Sequence, residues 1–183
     1  LQVFWPSPVG EIVTVPLKRT VEVTNAFFPI LRTRGPGGGT EQSIDQAIEN
    51  ASVDRPIRPG GDGSLILRGG DLAHCRVSAD YTIEDSVAYL ERFTPEQADE
   101  VVRMAIERAM VHVAATLELA SFVDDRDATN REVQARTQTT LDELDSGIRV
   151  TSISTSDRMP PLAVAKSVQG VQQSREQIGR AHV

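Results

Sequence analysis

The sequence predicts an α+β domain in which a curved, mostly antiparallel sheet packs against helices. Three observations support this prediction. Side chains 74–83 alternate between apolar and polar, which is the period of a half-buried strand. Small apolar side chains recur every three or four residues over 94–120, as on the buried face of a helix. An apolar segment at 64–67 precedes the long strand, and Gly69 and Gly70 between them indicate an antiparallel hairpin.

Composition limits the possible classes of protein. The 183 residues favour one domain, or one domain with an appendage. The net charge of −7 argues against a nucleic-acid-binding surface. The single cysteine, Cys75, excludes an internal disulfide and a cysteine metal cluster. No window approaches the roughly 18–20 apolar residues of a membrane-spanning helix.

The two ends of the sequence suggest a piece of a longer protein. The chain does not begin with Met, and residues 178–183, which include His182, resemble a translated sequencing adapter. We therefore expect 178–183 to be a non-native tail.

The N-terminal part predicts an edge strand. Apolar side chains alternate with other residues and resume after a polar interruption, at Val13, Val15, Leu17, Val21 and Val23. Three prolines fall in the same region, at Pro6, Pro8 and Pro16. Because proline cannot donate to a central ladder, this part is expected to be an edge strand or an entry segment.

Residues 30–63 predict a loop insertion. They contain two glycine- and proline-rich stretches, with a short helix possible at 43–50 between them. The glycines of 35–40 could suggest a phosphate-binding loop. However, such a loop needs either a lysine before its Ser/Thr or a strand before and a helix after the glycines, and neither condition is met.

Three helices are predicted after the long strand. Residues 86–92 form a short one, and the longest covers 94–120, with Thr94 as its cap and Pro95 at its first position. The third covers 130–146, where Thr129 and Glu132 would form a capping box and Gly147 would end the helix.

The last strand is predicted at 147–153. Pro160 and Pro161 then open a final helix that runs to residue 177. We therefore divide the chain into a domain at 1–159, the start of a C-terminal helix at 160–177, and the tail.

Four phrases in the right order resemble the SPFH or band 7 family (stomatin, prohibitin, flotillin and HflK/HflC). The first ends the long strand, with Tyr81, Ile83, Asp85, Tyr89 and Leu90. The second lies at the N-terminus, with Trp5, Pro6, Pro8, Val13 and Val15. The third is the last strand, with Gly147, Ile148, Val150 and Ile153. The fourth opens the final helix, with Pro160, Pro161 and Val164.

The resemblance implies a scaffold rather than an enzyme. Its second and fourth phrases are closest to bacterial HflK, which implies a single-pass protein of the bacterial inner membrane with this domain on the extracytoplasmic side. Its N-terminal anchor would be missing from this sequence, and its C-terminal helix would begin a coiled coil. The implied partners are an HflC-like paralogue, further copies of the chain and an FtsH-like AAA protease. A stomatin- or prohibitin-like microdomain scaffold is the alternative.

An enzyme of unknown type is the second alternative, and it depends on a few residues. His74 and Cys75 are neighbours on a strand and therefore point to opposite faces. His112 lies along the edge of the helix stripe, where a packed or hydrogen-bonded role is expected.

Three aspartates, Asp124, Asp125 and Asp127, invite a catalytic or Ca²⁺ hypothesis. The spacing and central glycine of a Ca²⁺-binding loop are missing, so a helix junction is the preferred interpretation. We expect no catalytic, cofactor-binding or metal site.

Overall fold

The computed structural model describes residues 17–23, 26–28, 32–33, 40–41, 63–161 and 164–165. Several predictions lie outside these residues. They are the N-terminal strand before Leu17, the glycine stretch within 34–39, the helix at 43–50, the final helix beyond 165, and the tail at 178–183 with His182.

The main sheet is antiparallel and is centred on one long strand. Its strands are β1 (Lys18–Val23), β4 (Leu65–Ile66), β5 (Leu72–Ile83) and β6 (Ile148–Met159). β5 pairs with β1, β4 and β6, in each case antiparallel. The predicted fold class is confirmed, since this sheet packs against helices, and β1 is an edge strand within the described residues.

The alternation of apolar and polar side chains along β5 suits a strand in the middle of the sheet. Its apolar set faces the core, namely Ala73, Cys75, Val77, Ala79, Tyr81 and Ile83. The strand begins two residues earlier than the alternating segment. It has neighbours on both edges, because β1 and β6 both pair with residues 77–82.

The predicted hairpin before β5 is also confirmed. Leu65 pairs with Ala73, and a short 3-10 turn at Arg68–Gly70 connects the two strands. Gly69 and Gly70 have φ of 89° and 91°, which L side chains rarely adopt, so the turn requires glycine there.

The segment predicted as a loop insertion contains a small ladder. Two two-residue strands, β2 (Arg32–Thr33) and β3 (Thr40–Glu41), pair antiparallel. Glycine-rich connections often join short hairpins, so an insertion can contain such a ladder.

Four helices lie between β5 and β6: α1 (Ser86–Arg92), α2 (Pro95–Ala114), α3 (Leu119–Asp124) and α4 (Arg126–Glu143). α2 begins as predicted. The Thr94 side chain accepts from Gln97 N, and the Gln97 side chain accepts from Thr94 N, which together form a capping box.

The predicted end of α2 was wrong, because the helix stops at Ala114 instead of residue 120. Tighter bonds close it: Thr116 N donates to Val113 O and Leu117 N to Ala114 O, both at 3.0 Å. Leu117 O then accepts from Arg68 N at 2.9 Å. The hydrogen bond from Arg68 in the β4–β5 turn therefore holds Leu117 outside the helix, although the apolar pattern alone would continue the helix through this residue.

The predicted start of α4 was wrong as well. The helix begins four residues early, and the side chain of Asp125 caps it by accepting from Ala128 N at 3.1 Å. Thr129 is buried inside the first turn, and its hydroxyl donates to Asp125 O at 2.8 Å. Thr129 and Glu132 are therefore not a capping box.

A left-handed connection joins α4 to β6. The helix ends before the predicted residue 146, and Asp145 follows its cap with φ of 51°. Gly147 has the left-handed φ that was predicted, at 67°. Gly147 O accepts from the N–H groups of both Glu84 and Asp85, so this turn supports the start of α1.

The core lies between the sheet and α2. Most of the predicted stripe is buried there, namely Ala98, Val102, Ala105, Ile106, Ala109 and Val113, together with Met110. Thr116 and Ala120, which were predicted on the same stripe, lie beyond the end of α2 and are exposed. α4 packs beside α2 and against β6, and contributes Val133, Thr137 and Leu141 to the buried set.

Two glutamines of α4 bind the backbone of β6. Val150 N donates to Gln138 Oε1 at 2.9 Å, and Gln134 Nε2 donates to Val150 O at 2.9 Å. Gln138 Nε2 also donates to Ile148 O at 3.0 Å. Because the two glutamines are four residues apart, they lie on one face of α4 and reach successive parts of the strand.

Candidate functional site

Cys75 and His74 are both buried, although they point to opposite faces of β5. Cys75 lies in the core between the sheet and the helices. His74 was expected on the polar face, but it is 2% exposed because the segment around Phe28 covers it. The ring centroids of Phe28 and His74 are 5.9 Å apart, and His74 Nδ1 is 3.4 Å from Gly63 O. The strand therefore does not form a Cys–His pair.

Burial raises the pKa of the Cys75 thiol to about 12, although the positive charge of Arg158 opposes the shift. We therefore expect a thiol-specific reagent to leave the folded chain unmodified at neutral and mildly alkaline pH, because both access and thiolate are lacking. Stoichiometric reaction should appear when denaturant unfolds the chain. Rapid reaction of the folded chain would contradict this burial.

The same shift has a consequence for stability. The ordinary thiol pKa is 9.0, so unfolding releases a proton above that pH while the folded thiol stays protonated. The buried, protonated thiol therefore makes its full contribution to the free energy of unfolding below pH 9.0. That contribution declines as the pH rises toward 12.

The other candidate residues lie at helix ends. His112 is in the last turn of α2 and is exposed. Asp124 ends α3, Asp125 caps α4, and Asp127 lies in the first turn of α4, where the helix dipole favours an acid. Within the described part of the chain, no three His, Cys, Asp or Glu side chains are grouped so that they could hold a metal ion.

The most densely bonded side chain is one that the sequence analysis did not single out. Arg158 of β6 is 7% exposed, and its guanidinium donates to oxygens of three elements. We call this group the Arg158 clasp. It comprises Arg158 with its acceptors: Phe122 O (2.6 Å), Asp125 O (3.4 Å), Arg126 O (3.4 Å), Asn130 Oδ1 (3.2 Å), Thr129 Oγ1 (3.5 Å) and Thr155 Oγ1 (2.8 Å from Nε).

The electrostatics of the clasp are unusual for a buried charge. Every oxygen that accepts from Arg158 is neutral, and no ion pair to this residue occurs among the described residues. Burial lowers the pKa of the Arg158 guanidinium, and the charge of Arg126 adds to this shift, while Cys75 and then the Asp125 and Asp127 carboxylates oppose it. The guanidinium also lies over the Phe122 ring, 5.1 Å from its centroid.

A second, partly buried network joins β1, β5 and α2. Asp99 accepts from the Tyr81 hydroxyl at 2.5 Å and pairs with Arg19. Burial, and next the hydrogen bond to Asp99, raise the pKa of Tyr81 well above its usual value. The nearby Tyr89 hydroxyl is buried without a hydrogen-bond partner. These groups hold the three elements together.

The outer face of the sheet is polar and carries a small cluster around Asp80. The Thr20 hydroxyl donates to Asp80 Oδ1 at 2.6 Å, and Lys18 Nζ lies 3.3 Å from Oδ2. Ser152 Oγ donates to Oδ2 at 3.3 Å. The Thr20 hydrogen bond, followed by that of Lys18, lowers the pKa of Asp80. The cluster joins the three strands across their solvent-facing side.

Apolar surface is exposed at the end of the sheet where β5 passes into α1. Leu17 is 74% exposed and Val87 is 66% exposed. They lie at the same end because Ile83 N donates to Leu17 O and α1 begins three residues after Ile83. Among the helices in the described residues, none has the length and apolar character to span a bilayer.

Comparison with known proteins identifies the family. The model of the SPFH domain / Band 7 family matches residues 4–183. No match is found among curated proteins. The family match covers almost the whole chain and agrees with an antiparallel sheet packed against helices, so the chain belongs to the SPFH/band 7 family.

Proposed function

We propose that this domain belongs to a membrane-anchored scaffold that assembles into oligomers and modulates an FtsH-like membrane AAA protease. The specific role proposed is that of the HflK subunit in an HflK–HflC complex. Proteins of the SPFH family are membrane-associated, typically oligomerise and are generally scaffolds without enzymatic activity. The observation that carries the proposal is the family match over residues 4–183.

The HflK assignment is supported by the two ends of the sequence. The N-terminal phrase with Trp5 and Pro6 and the C-terminal phrase with Pro160 and Pro161 resemble HflK more than stomatin or flotillin. Such a protein would cross the bacterial inner membrane once and place this domain on the extracytoplasmic side.

The described structure is compatible with a scaffold role. Its most strongly bonded charged side chains, Arg158 and Asp99, hold elements of the domain together. The apolar side chains of Leu17 and Val87 at one end of the sheet are of the kind that a neighbouring molecule covers. A scaffold acts through such surfaces, whereas general acid–base catalysis needs reactive groups that converge on a substrate.

The test is to express the gene with the flanking sequence that it encodes, together with an HflC-like paralogue and an FtsH-like protease, in a bacterial membrane. We expect the protease to co-purify with the scaffold after detergent extraction. Degradation of a membrane-embedded substrate should change when the scaffold is present, while degradation of a soluble substrate serves as the control.

Two outcomes would contradict parts of the proposal. Oligomers that form without binding the protease, and without changing degradation, would favour a stomatin- or prohibitin-like microdomain scaffold. A chain that remains monomeric and soluble with its flanking sequence present would contradict the membrane scaffold itself.

A further inference from the structure

A backbone irregularity directs Arg158 into the core. Strict alternation after the buried Thr155 would place residue 157 inward and residue 158 outward. Instead, Asp157 has φ of 51°, and the register between β5 and β6 shifts between the His74–Met159 and Arg76–Ser156 pairs. A bulge of this kind re-aims the side chain that follows.

The bulge is itself held in place. Arg76 Nε lies 3.3 Å from Asp157 Oδ2, so β5 fixes the left-handed residue. A left-handed conformation is uncommon for a residue other than glycine, although Asp tolerates it better than most. The irregularity therefore has a defined result, which is the burial of Arg158.

Burying the charge of Arg158 reduces the stability of the fold through lost hydration. A buried charge loses its hydration, and a well-packed apolar side chain of similar volume is often at least as stable. What the guanidinium provides is geometry, because its planar fork bonds several oxygens at fixed angles. Here it bonds the last turn of α3, the first turn of α4 and Thr155 of its own strand at once.

The clasp lies directly before the point where the chain leaves the sheet. β6 ends at Met159, and two prolines follow, of which Pro161 is buried. The N–H groups of Val164 and Ala165 both donate to Pro161 O at 2.9 Å, and Ala165 is buried. The first buried residue after β6, Pro161, is therefore only three positions from Arg158.

We propose that Arg158 is a positioning residue that fixes the direction in which the chain leaves the domain after β6. It does so by tying the end of β6 to the α3–α4 corner. The clasp thus sets where the following segment begins relative to the sheet. This inference does not depend on the protease partner proposed above, and its test measures distances within one molecule.

The test measures distances between spin labels in the full 183-residue chain. One pair joins Ala135→Cys on α4 to Val164→Cys after the prolines, and both positions are exposed. The control pair joins Ala135→Cys to Ser154→Cys, which is exposed on β6 before the clasp. The native Cys75 is buried and can stay in place.

We expect Arg158→Met to replace the single narrow distance peak of the 135–164 pair with a broad distribution, while the 135–154 pair keeps its peak. Arg158→Lys should also fail to restore the narrow peak, because an ammonium group cannot bridge the same oxygens. If Arg158→Met does not fold, Asn130→Ala removes one acceptor and keeps the charge. It should broaden the 135–164 distribution to a smaller extent.

Two results would overturn the proposal. An unchanged 135–164 peak in a folded Arg158→Met chain would show that other contacts set the exit direction. Equal broadening of both pairs would show that Arg158 supports the domain as a whole rather than its exit.

Discussion

Replacing Ala109 with aspartate is expected to lower the free energy of unfolding by about 3–5 kcal/mol, the size typical of an uncompensated buried charge. Ala109 lies on the buried stripe of α2, is 3% exposed and faces the sheet core. Ala105 has the same exposure and should respond in the same way. Denaturant unfolding followed by circular dichroism gives the measurement.

The matched control is the same substitution on an exposed helix position. Ala135 lies on the exposed side of α4, so Ala135→Asp should reduce stability by only about 0.5 kcal/mol, through helix propensity. Equal effects at Ala109 and Ala135 would show that the α2 stripe is not the buried face.

Replacing Gly147 with alanine is the substitution with the second largest expected effect. A Cβ at Gly147 would lie 2.3 Å from Asp85 O, which is closer than real Cβ atoms approach. The left-handed φ of 67° adds about 1–2 kcal/mol for an L side chain. The Asp85 backbone cannot move away freely, because Asp85 caps α1 and its N–H donates to Gly147 O. We expect a total loss of about 3 kcal/mol or more.

Gly70 is the control that separates the cost of the left-handed backbone from the cost of the steric clash with Asp85. Its φ is 91°, but a Cβ there would meet nothing within 4 Å. Gly70→Ala should therefore show only the conformational part, about 1–2 kcal/mol. Thermal unfolding of both variants checks the difference, and equal losses would mean that the contact with Asp85 is relieved at little cost.

Local patterns predicted the centre of this fold well. The alternation of β5 and the capping residue Thr94 are properties of neighbouring residues, so they can be recognised without knowing what packs on them. His74 is the exception on β5, since it is covered by Phe28, which lies far away in sequence. A half-buried strand pattern cannot show that a distant segment covers part of its polar face.

The helix boundaries were wrong for a related reason. No glycine or proline lies between Ala114 and Leu119, and the apolar spacing continues through Leu117. The end of α2 depends on the hydrogen bond from Arg68 to Leu117 O, which comes from another part of the chain. The start of α4 depends on Asp125, while the apparent signal at Thr129 belongs to a hydroxyl that is already inside the helix.

Arg158 was missed because the last strand was predicted to end at residue 153, whereas β6 continues to Met159. The available signal was the failure of alternation after Thr155, where Asp157 and Arg158 stand in place of an apolar side chain. That irregularity could have indicated a bulge. Its partners could not have been predicted, since half of them are backbone carbonyls of the α3–α4 corner.

The two glutamines on α4 have a consequence for how copies of this domain can meet. At an open sheet edge, backbone N–H and C=O groups can recruit a strand from another molecule, which is a common route to aggregation. At Val150 both groups are already bonded by Gln134 and Gln138. Side-chain amides there occupy the positions that a foreign strand would need. A strand from a neighbouring copy can therefore pair with β6 at Val150 only if these amides first release the backbone, so this position resists the growth of an intermolecular sheet.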